Sequence, residues 1–404
     1  MPLGVGSRRV VLMGGMPSAY LDKVRYIARG SLIGYWPLDE KSGTVAYDRS
    51  GNLRNGAHTG VTLLNPGAEL LINGGFETAG AGGADVFLHW SEDAGARGTI
   101  EAETTIIRSG AKAAKLTRGS GYVVLYVPLT VVPGATYTWR FWARGDGTNA
   151  GRFSIWNSEA GAYLDGYAPA STGVTGEEYT EKVVTFTVPT GCTAVNLQLW
   201  APAASGGITY FDDVSLAATT PNGPTGMGLT SVFCDGIQDR VDLSGSIAGL
   251  AAAFNPSAGT MWAWGRVSGA GVWSDGAARG LAVFGVNVNN RFLIARSTGN
   301  NELLAVGFAG ATGGTRNLGI APSTDWFCAG IRWKDGTAQG LLNGVPVGAT
   351  WALGNWAGSL IKDYVGIGDY DSDTAVYPWS GLIGPTALSS RWLNDAECWA
   401  AMRV

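Results

Sequence analysis

The stretch Ser31-Leu-Ile-Gly-Tyr-Trp-Pro-Leu-Asp-Glu-Lys-Ser-Gly-Thr-Val-Ala-Tyr-Asp-Arg-Ser-Gly-Asn52 reads as the opening of a domain that breaks off after residue 61. The rest of that domain resumes far downstream, at Phe233-Cys-Asp-Gly-Ile-Gln-Asp-Arg-Val-Asp-Leu243, and runs to residue 404. Between the two pieces lies a segment with its own start and finish. It opens with Ala68-Glu-Leu-Leu-Ile-Asn-Gly-Gly-Phe-Glu-Thr78 and closes with Ile208-Thr-Tyr-Phe-Asp-Asp-Val-Ser-Leu216. Two Pro/Gly-rich linkers flank it, Leu64-Asn-Pro-Gly-Ala68 and Ala217-Ala-Thr-Thr-Pro-Asn-Gly-Pro-Thr-Gly226. Insertion is tolerated at exposed loop tips whose ends lie close together. The predicted organisation is an arm over 1–30, a discontinuous outer domain over 31–67 and 218–404, and an insert over 68–217.

Composition points to an all-β protein. A chain of 404 residues exceeds one small core, and it is rich in Gly (62) but only 15% charged. Short Val/Thr/Trp/Tyr runs separated by Gly, Asn, Asp and Pro are the pattern of β-sandwiches. The net charge of −4, with no basic cluster beyond Arg8-Arg9, argues against a nucleic-acid partner. No apolar run approaches the length of a membrane span. The apolar run after Arg9 is only Val10-Val-Leu-Met13, shorter than the core of an export signal. Cys192, Cys234, Cys328 and Cys398 share no CxxC spacing, so buried free thiols are expected, not a zinc site.

Residues 17–30 start on Pro-Ser, place Leu21, Val24, Ile27 and Ala28 at helical spacing, and end on Gly30. The spacing predicts a helix of two to three turns, too short to stand alone. It either covers the adjacent sandwich or serves as a docking arm onto a larger assembly. Downstream, Asn343-Gly344 between Leu and Val flanks is a two-residue hairpin signal, and Gly381 and Gly384 punctuate a late-pairing strand.

Alternation along four strands of the insert separates a core side from an outward side. Val195, Leu197 and Leu199 oppose Asn196, Gln198 and Trp200. Phe153 and Ile155 oppose Ser154 and Trp156. Val123, Leu125 and Val127 oppose Tyr122 and Tyr126, while Trp139 and Phe141 oppose Arg140 and Trp142. The outward set mixes aromatic rings with amide and guanidinium groups. That suits sugars, whose C–H faces stack on rings and whose hydroxyls need planar donors and acceptors. The candidate glycan-binding residues are therefore Tyr122, Tyr126, Arg140, Trp142, Trp156, Asn196, Gln198 and Trp200. The alternative is that these rings pack beneath a loop.

Catalytic chemistry is sparse. The two histidines, His58 and His89, sit in unrelated contexts, and no Ser-His-Asp or Cys-His set can be assembled. The acidic run Gly176-Glu-Glu-Tyr-Thr-Glu181 reads as a solvated loop before a strand. The chain is expected not to be an enzyme.

The outer pieces resemble laminin-G-like, concanavalin-A-like jelly rolls. The landmarks are residues 31–61, Asp235-Gly-Ile-Gln-Asp-Arg-Val241, Trp326-Phe-Cys-Ala-Gly-Ile-Arg-Trp-Lys-Asp-Gly336, Leu341-Leu-Asn-Gly-Val-Pro-Val-Gly348 and Tyr377-Pro-Trp-Ser-Gly-Leu-Ile-Gly-Pro-Thr-Ala-Leu388. The glucanases of that fold carry Glu-x-Asp-x-x-Glu on one strand, a pattern missing here. The insert resembles the galactose-binding-like carbohydrate-binding modules of xylanases and glucanases. Its landmarks besides the opening and closing runs are Arg108-Ser-Gly-Ala-Lys-Ala-Ala-Lys-Leu116, Val132-Pro-Gly-Ala-Thr-Tyr-Thr-Trp-Arg-Phe-Trp-Ala-Arg144 and Tyr179-Thr-Glu-Lys-Val-Val-Thr-Phe-Thr-Val188.

These resemblances imply two jelly-roll β-sandwiches, one inserted into the other, in which first and last strands of the outer one pair. They imply a structural Ca²⁺ held by Glu77 and by Asp212 or Asp213 together with backbone carbonyls; alternation places Asp212 inward with Val214 and Leu216 and Asp213 on the surface, which favours Asp212. Asp369-Tyr-Asp-Ser-Asp373 has the spacing of the front of a calcium loop but lacks the downstream Glu. The resemblance to phage structural-region proteins implies a virion component of tail or head that binds host-surface or environmental glycans. It would be a homo-oligomer in its assembly, touch other virion proteins through the N-terminal arm, and leave the host by lysis. The rival expectations are a capsid decoration protein without ligand and an extracellular accessory domain of a carbohydrate-active enzyme.

Overall fold

The computed structural model describes residues 16–63, 69–83, 85–189, 191–219, 231–298, 302–319, 324–369, 371–372 and 375–403. It divides into two compact units, residues 1–61 with 221–404, and residues 62–220. Both are built from antiparallel sheets, and the fold is all-β with short helices. The two linkers expected at 64–68 and 217–226 fall almost wholly outside the described residues.

In the outer unit the last strand explains how a domain survives interruption. Ser380–Ser389 pairs along one edge with Ala258–Val267. Along its other edge it pairs with Leu32–Trp36 at one end, from Leu32 opposite Ser389 to Trp36 opposite Thr386. At the other end it takes Val232–Asp235, from Val232 opposite Ile383 to Asp235 opposite Ser380. Two pieces from either side of the insert thus share one edge of one strand. The second sheet repeats the arrangement, since Gly56–Thr59 pairs with Arg240–Asp242.

The Asp48–Asn52 turn locks the opening strand in place. Asp48, buried, accepts from the backbone N–H of Tyr35 (3.0 Å) and Arg54 (3.0 Å), and Asn52 Nδ2 donates to the carbonyls of Leu32 (2.9 Å) and Ile33 (3.1 Å). The expected hairpin is present: Leu342 pairs with Val345, and Asn343 and Gly344 both take positive φ (48° and 77°). Gly381 meets a different demand. A Cβ there would lie 2.1 Å from the Arg266 carbonyl, so only Gly fits.

The helix Met16–Ile27 belongs to this sandwich. Tyr20, Val24 and Ala28 are fully buried. Tyr20 and Val24 pack with Tyr35, Trp262, Trp264, Leu393 and Met402, flanked by Leu21 and Ile27. The Tyr20 hydroxyl donates to the Ala401 carbonyl (2.5 Å) and accepts from Trp264 Nε1 (2.9 Å). Burial pushes its pKa far above the usual phenol range. This helix therefore covers the adjacent sandwich, its apolar face spent on the core. All four cysteines are buried and unpaired.

The inserted unit is a two-sheet sandwich. One sheet runs Thr180–Thr187, Thr136–Arg144, Ile208–Ala218, Ala113–Arg118, Gly98–Glu103. The other runs from Ala162–Tyr163 through Arg152–Asn157, Ala194–Trp200 and Val124–Thr130 to Ser91–Asp93. Trp139, Phe141, Ile155, Leu197, Leu199 and Phe211 are fully buried between them, as alternation requires.

Candidate functional site

Register across the second sheet assembles the outward side chains into rows. Val124 lies opposite Trp200, which lies opposite Arg152. Tyr126 lies opposite Gln198, itself opposite Ser154, and Asn196 lies opposite Trp156. Tyr163 closes the edge opposite Trp156, their rings edge-on at 5.0 Å. Together with Tyr122, Asp93, Arg118 and Pro169 these residues line an open groove of about 740 Å³. That volume is in the range of small-ligand clefts.

Six of the eight residues expected from the sequence are here: Tyr122, Tyr126, Trp156, Asn196, Gln198 and Trp200. Trp200 is the floor, only 8% exposed. Its indole Nε1 donates to Ser154 Oγ (2.8 Å), and Ser154 donates to Gln198 Oε1 (2.6 Å). This relay engages the oxygen of the Gln198 amide. Tyr122 tilts against Trp200 at 5.9 Å and is covered on another side by Arg97, 3.8 Å from its ring and paired with Asp93.

Arg140 and Trp142 do not join the groove. Their strand, Thr136–Arg144, belongs to the opposite sheet, pairing with Thr180–Thr187 and Ile208–Ala218. Arg140 is held by Glu181 (3.1 Å), and the Trp142 ring is capped by Arg108 at 3.9 Å. Alternation told the outward side of that strand correctly but not which sheet it occupied.

Asp93, Arg118, Arg152 and Tyr163 were missed. Arg152 was legible, two residues before Ser154 on the same outward side. Arg118 ends a strand of the other sheet, and Asp93 ends the edge strand, so only the tertiary fold brings them in.

The residues expected to hold Ca²⁺ serve a loop instead. Asp212, fully buried, accepts from the backbone N–H of Arg108 (2.9 Å), Ser109 (3.2 Å) and Asp213 (2.8 Å). Glu77 accepts from Ala111 N (2.9 Å) and Lys112 N (3.3 Å). Burial raises the Asp212 carboxyl above its ordinary range despite those bonds. Amide N–H groups face both carboxylates, which act here as anchors of the loop over residues 108–112. Asp213 is not a bland surface residue: it pairs with Arg108 and accepts from Ser109 Oγ (2.8 Å). Among the described residues no group of three or more His, Cys, Asp or Glu side chains could hold a metal. In the calcium-like run 369–373, Tyr370 and Asp373 lie outside the described residues, and Asp369 accepts from Tyr377 N (3.1 Å).

A smaller cavity of about 200 Å³ in the outer unit is lined by Arg240, Asp242, Lys362, Asp363 and Asp369 among others. Its charges answer one another, with Arg240 3.8 Å from Asp369, and it has no aromatic platform.

Residues 68–206 match the family model of a carbohydrate binding domain. The insert therefore carries a carbohydrate-binding-module-like jelly roll. No curated protein matches the sequence. Among solved structures, the chain is similar to the CBM22-1 xylan-binding domain of Paenibacillus barcinonensis Xyn10C, at 13% identity over 38% of this chain and 96% of that one, with a TM-score of 0.31. It is also similar to TmCBM61, solved with β-1,4-galactotriose, at 16% identity over 37% of this chain and 98% of that one (TM-score 0.29). A third likeness is to the enzymatically active domain of tailspike protein 4 of bacteriophage CBA120, at 16% identity over 37% of this chain and 21% of that one (TM-score 0.30).

Proposed function

We propose that the inserted sandwich binds polysaccharide without cleaving it, through the groove floored by Trp200 and walled by Trp156, Tyr126 and Tyr122. The observation that carries this reading is the row register: rings and amides share one face, inside the segment that matches a carbohydrate-binding family. Stacking on Trp156 would hold the sugar's apolar face, and Gln198 and Asn196 would meet its hydroxyls. Among the described residues one carboxylate lines the groove, Asp93, and it pairs with Arg97.

The setting we propose is a phage particle, with the chain as a tail or head component displaying the glycan module towards a host surface. An outer sandwich that carries a binding module within one of its own interruptions suits display. Affinity electrophoresis of the full chain through gels containing β-glucan, xylan or galactan tests the binding. Retardation that disappears in Trp156→Ala supports it, and free migration in every polysaccharide rejects it. Mass spectrometry of purified particles tests the setting. Hydrolysis of any of these polymers would instead favour an accessory role in a carbohydrate-active enzyme.

A further inference from the structure

The groove carries a charge pattern that neutral sugar does not need. Arg118 and Arg152 both line it, and each guanidinium leans on a backbone carbonyl of the same short segment, Pro202 (3.5 Å) and Ala201 (3.4 Å). Both are half-buried, and among the described residues neither forms an ion pair. Arg152 lies 5.5 Å over the Trp200 ring. Burial, and then the like charge of Arg118, pull its pKa below the ordinary arginine range. The acid in the groove, Asp93, is already committed to Arg97. Elsewhere in the same sandwich, Arg97, Arg108, Arg140 and Arg144 each have a carboxylate partner. On a chain of net charge −4, two neighbouring arginines thus stand without one beside an aromatic floor.

Resting on the reading of this groove as a glycan site, we propose that its ligand is an acidic polysaccharide whose anionic group sits between Arg118 and Arg152. Two guanidinium forks lining one groove match a carboxylate or sulfate oxygen set, and the partial burial that makes their mutual repulsion costly also strengthens a charge-assisted bond to the ligand. The neighbouring sugar ring would lie on Trp200 and Trp156, which puts the charged substituent at the Arg end of the row.

The test is an array of polymers in matched forms: a polyuronate and its carboxyl-reduced polymer, a sulfated galactan and its desulfated polymer, and neutral β-glucan and xylan. The full chain, Arg118→Gln/Arg152→Gln and Arg152→Lys are compared at low and high salt, with thermal unfolding as the folding control. The expected result is retention on an acidic form that falls at least about tenfold in the double Gln variant, weakens with salt, and is only partly kept by Lys. The uronate and sulfate arms tell the two anions apart. Equal retention of the acidic and neutral forms, or undiminished acidic binding by the folded double variant, overturns this inference and leaves the glycan site standing. Retention on no polymer at all overturns both.

Discussion

Both sandwiches bury part of their tryptophan, and they differ in what the remaining rings do. In the outer one, Trp36, Trp262, Trp273, Trp333 and Trp379 are all fully buried. Its Trp399, by contrast, is 55% exposed. In the inserted one Trp139 is fully buried and Trp90 and Trp200 nearly so, while Trp156 lines the groove that Trp200 floors and Trp142 lies under a guanidinium on the far sheet. An indole inside a sandwich is packing volume. The same indole on an outward row, as at Trp156, is a platform. The difference teaches that aromatic content by itself says nothing of binding; what counts is whether a ring's neighbours leave a face open.

The strongest way to break this contrast is to attack the packing of the outer sandwich. Deleting residues 16–30 uncovers the cluster of Trp262, Trp264 and Tyr35, and burial of Tyr20 and Val24 alone is worth roughly 3–6 kcal/mol. Calorimetry should show one transition falling steeply while that of the inserted unit stays put; an unshifted profile would mean the helix is dispensable. Next in size, Trp333→Ala should cost about 3–5 kcal/mol, since its ring stacks 3.9 Å from Phe292 and its indole donates to the Asn255 carbonyl. Polysaccharide retention should not change, and a loss there would tie the outer core to the groove.

On the platform side, Trp156→Ala should weaken retention by about 1–3 kcal/mol, by analogy with stacking losses on single-stranded nucleic acids, with little change in unfolding temperature. Trp200→Ala should lower both, because that ring is buried and bonded to Ser154 as well as presented to ligand. Paired affinity electrophoresis and thermal melts on the two variants check this split. If both melt early and still bind, the rings are core. Trp142→Ala sharpens the contrast from the other sheet: retention should match wild type, since its ring is on the face away from the groove. The smallest expected effect is that of calcium. Chelator and added Ca²⁺ should leave the melting of the inserted unit unmoved, because backbone N–H groups already serve Glu77 and Asp212. A calcium-dependent rise would restore the cation at that corner.

Much of this molecule can be read from residues alone. Alternation in Ala194–Trp200 and Arg152–Asn157 separated core from outward side chains because a strand's period is two whatever it pairs with. The Asn343-Gly344 hairpin was legible because positive φ at two successive residues selects those side chains. The interruption of the outer sandwich was visible because each piece kept its own strand and turn residues. Three things needed the tertiary fold. Which strands share a sheet depends on long-range register, so Arg140 and Trp142 left the site while Arg118 and Asp93 entered it. Whether the first helix docks or covers depends on the surface it meets, and that surface, with Trp264 and Met402, lies more than 200 residues downstream. Whether a buried acid calls for a cation depends on what faces it, and only the folded loop 108–112 brings amide hydrogens to Asp212 and Glu77. Local periodicity settles which way a side chain points; only the contacts of distant segments settle what it points at.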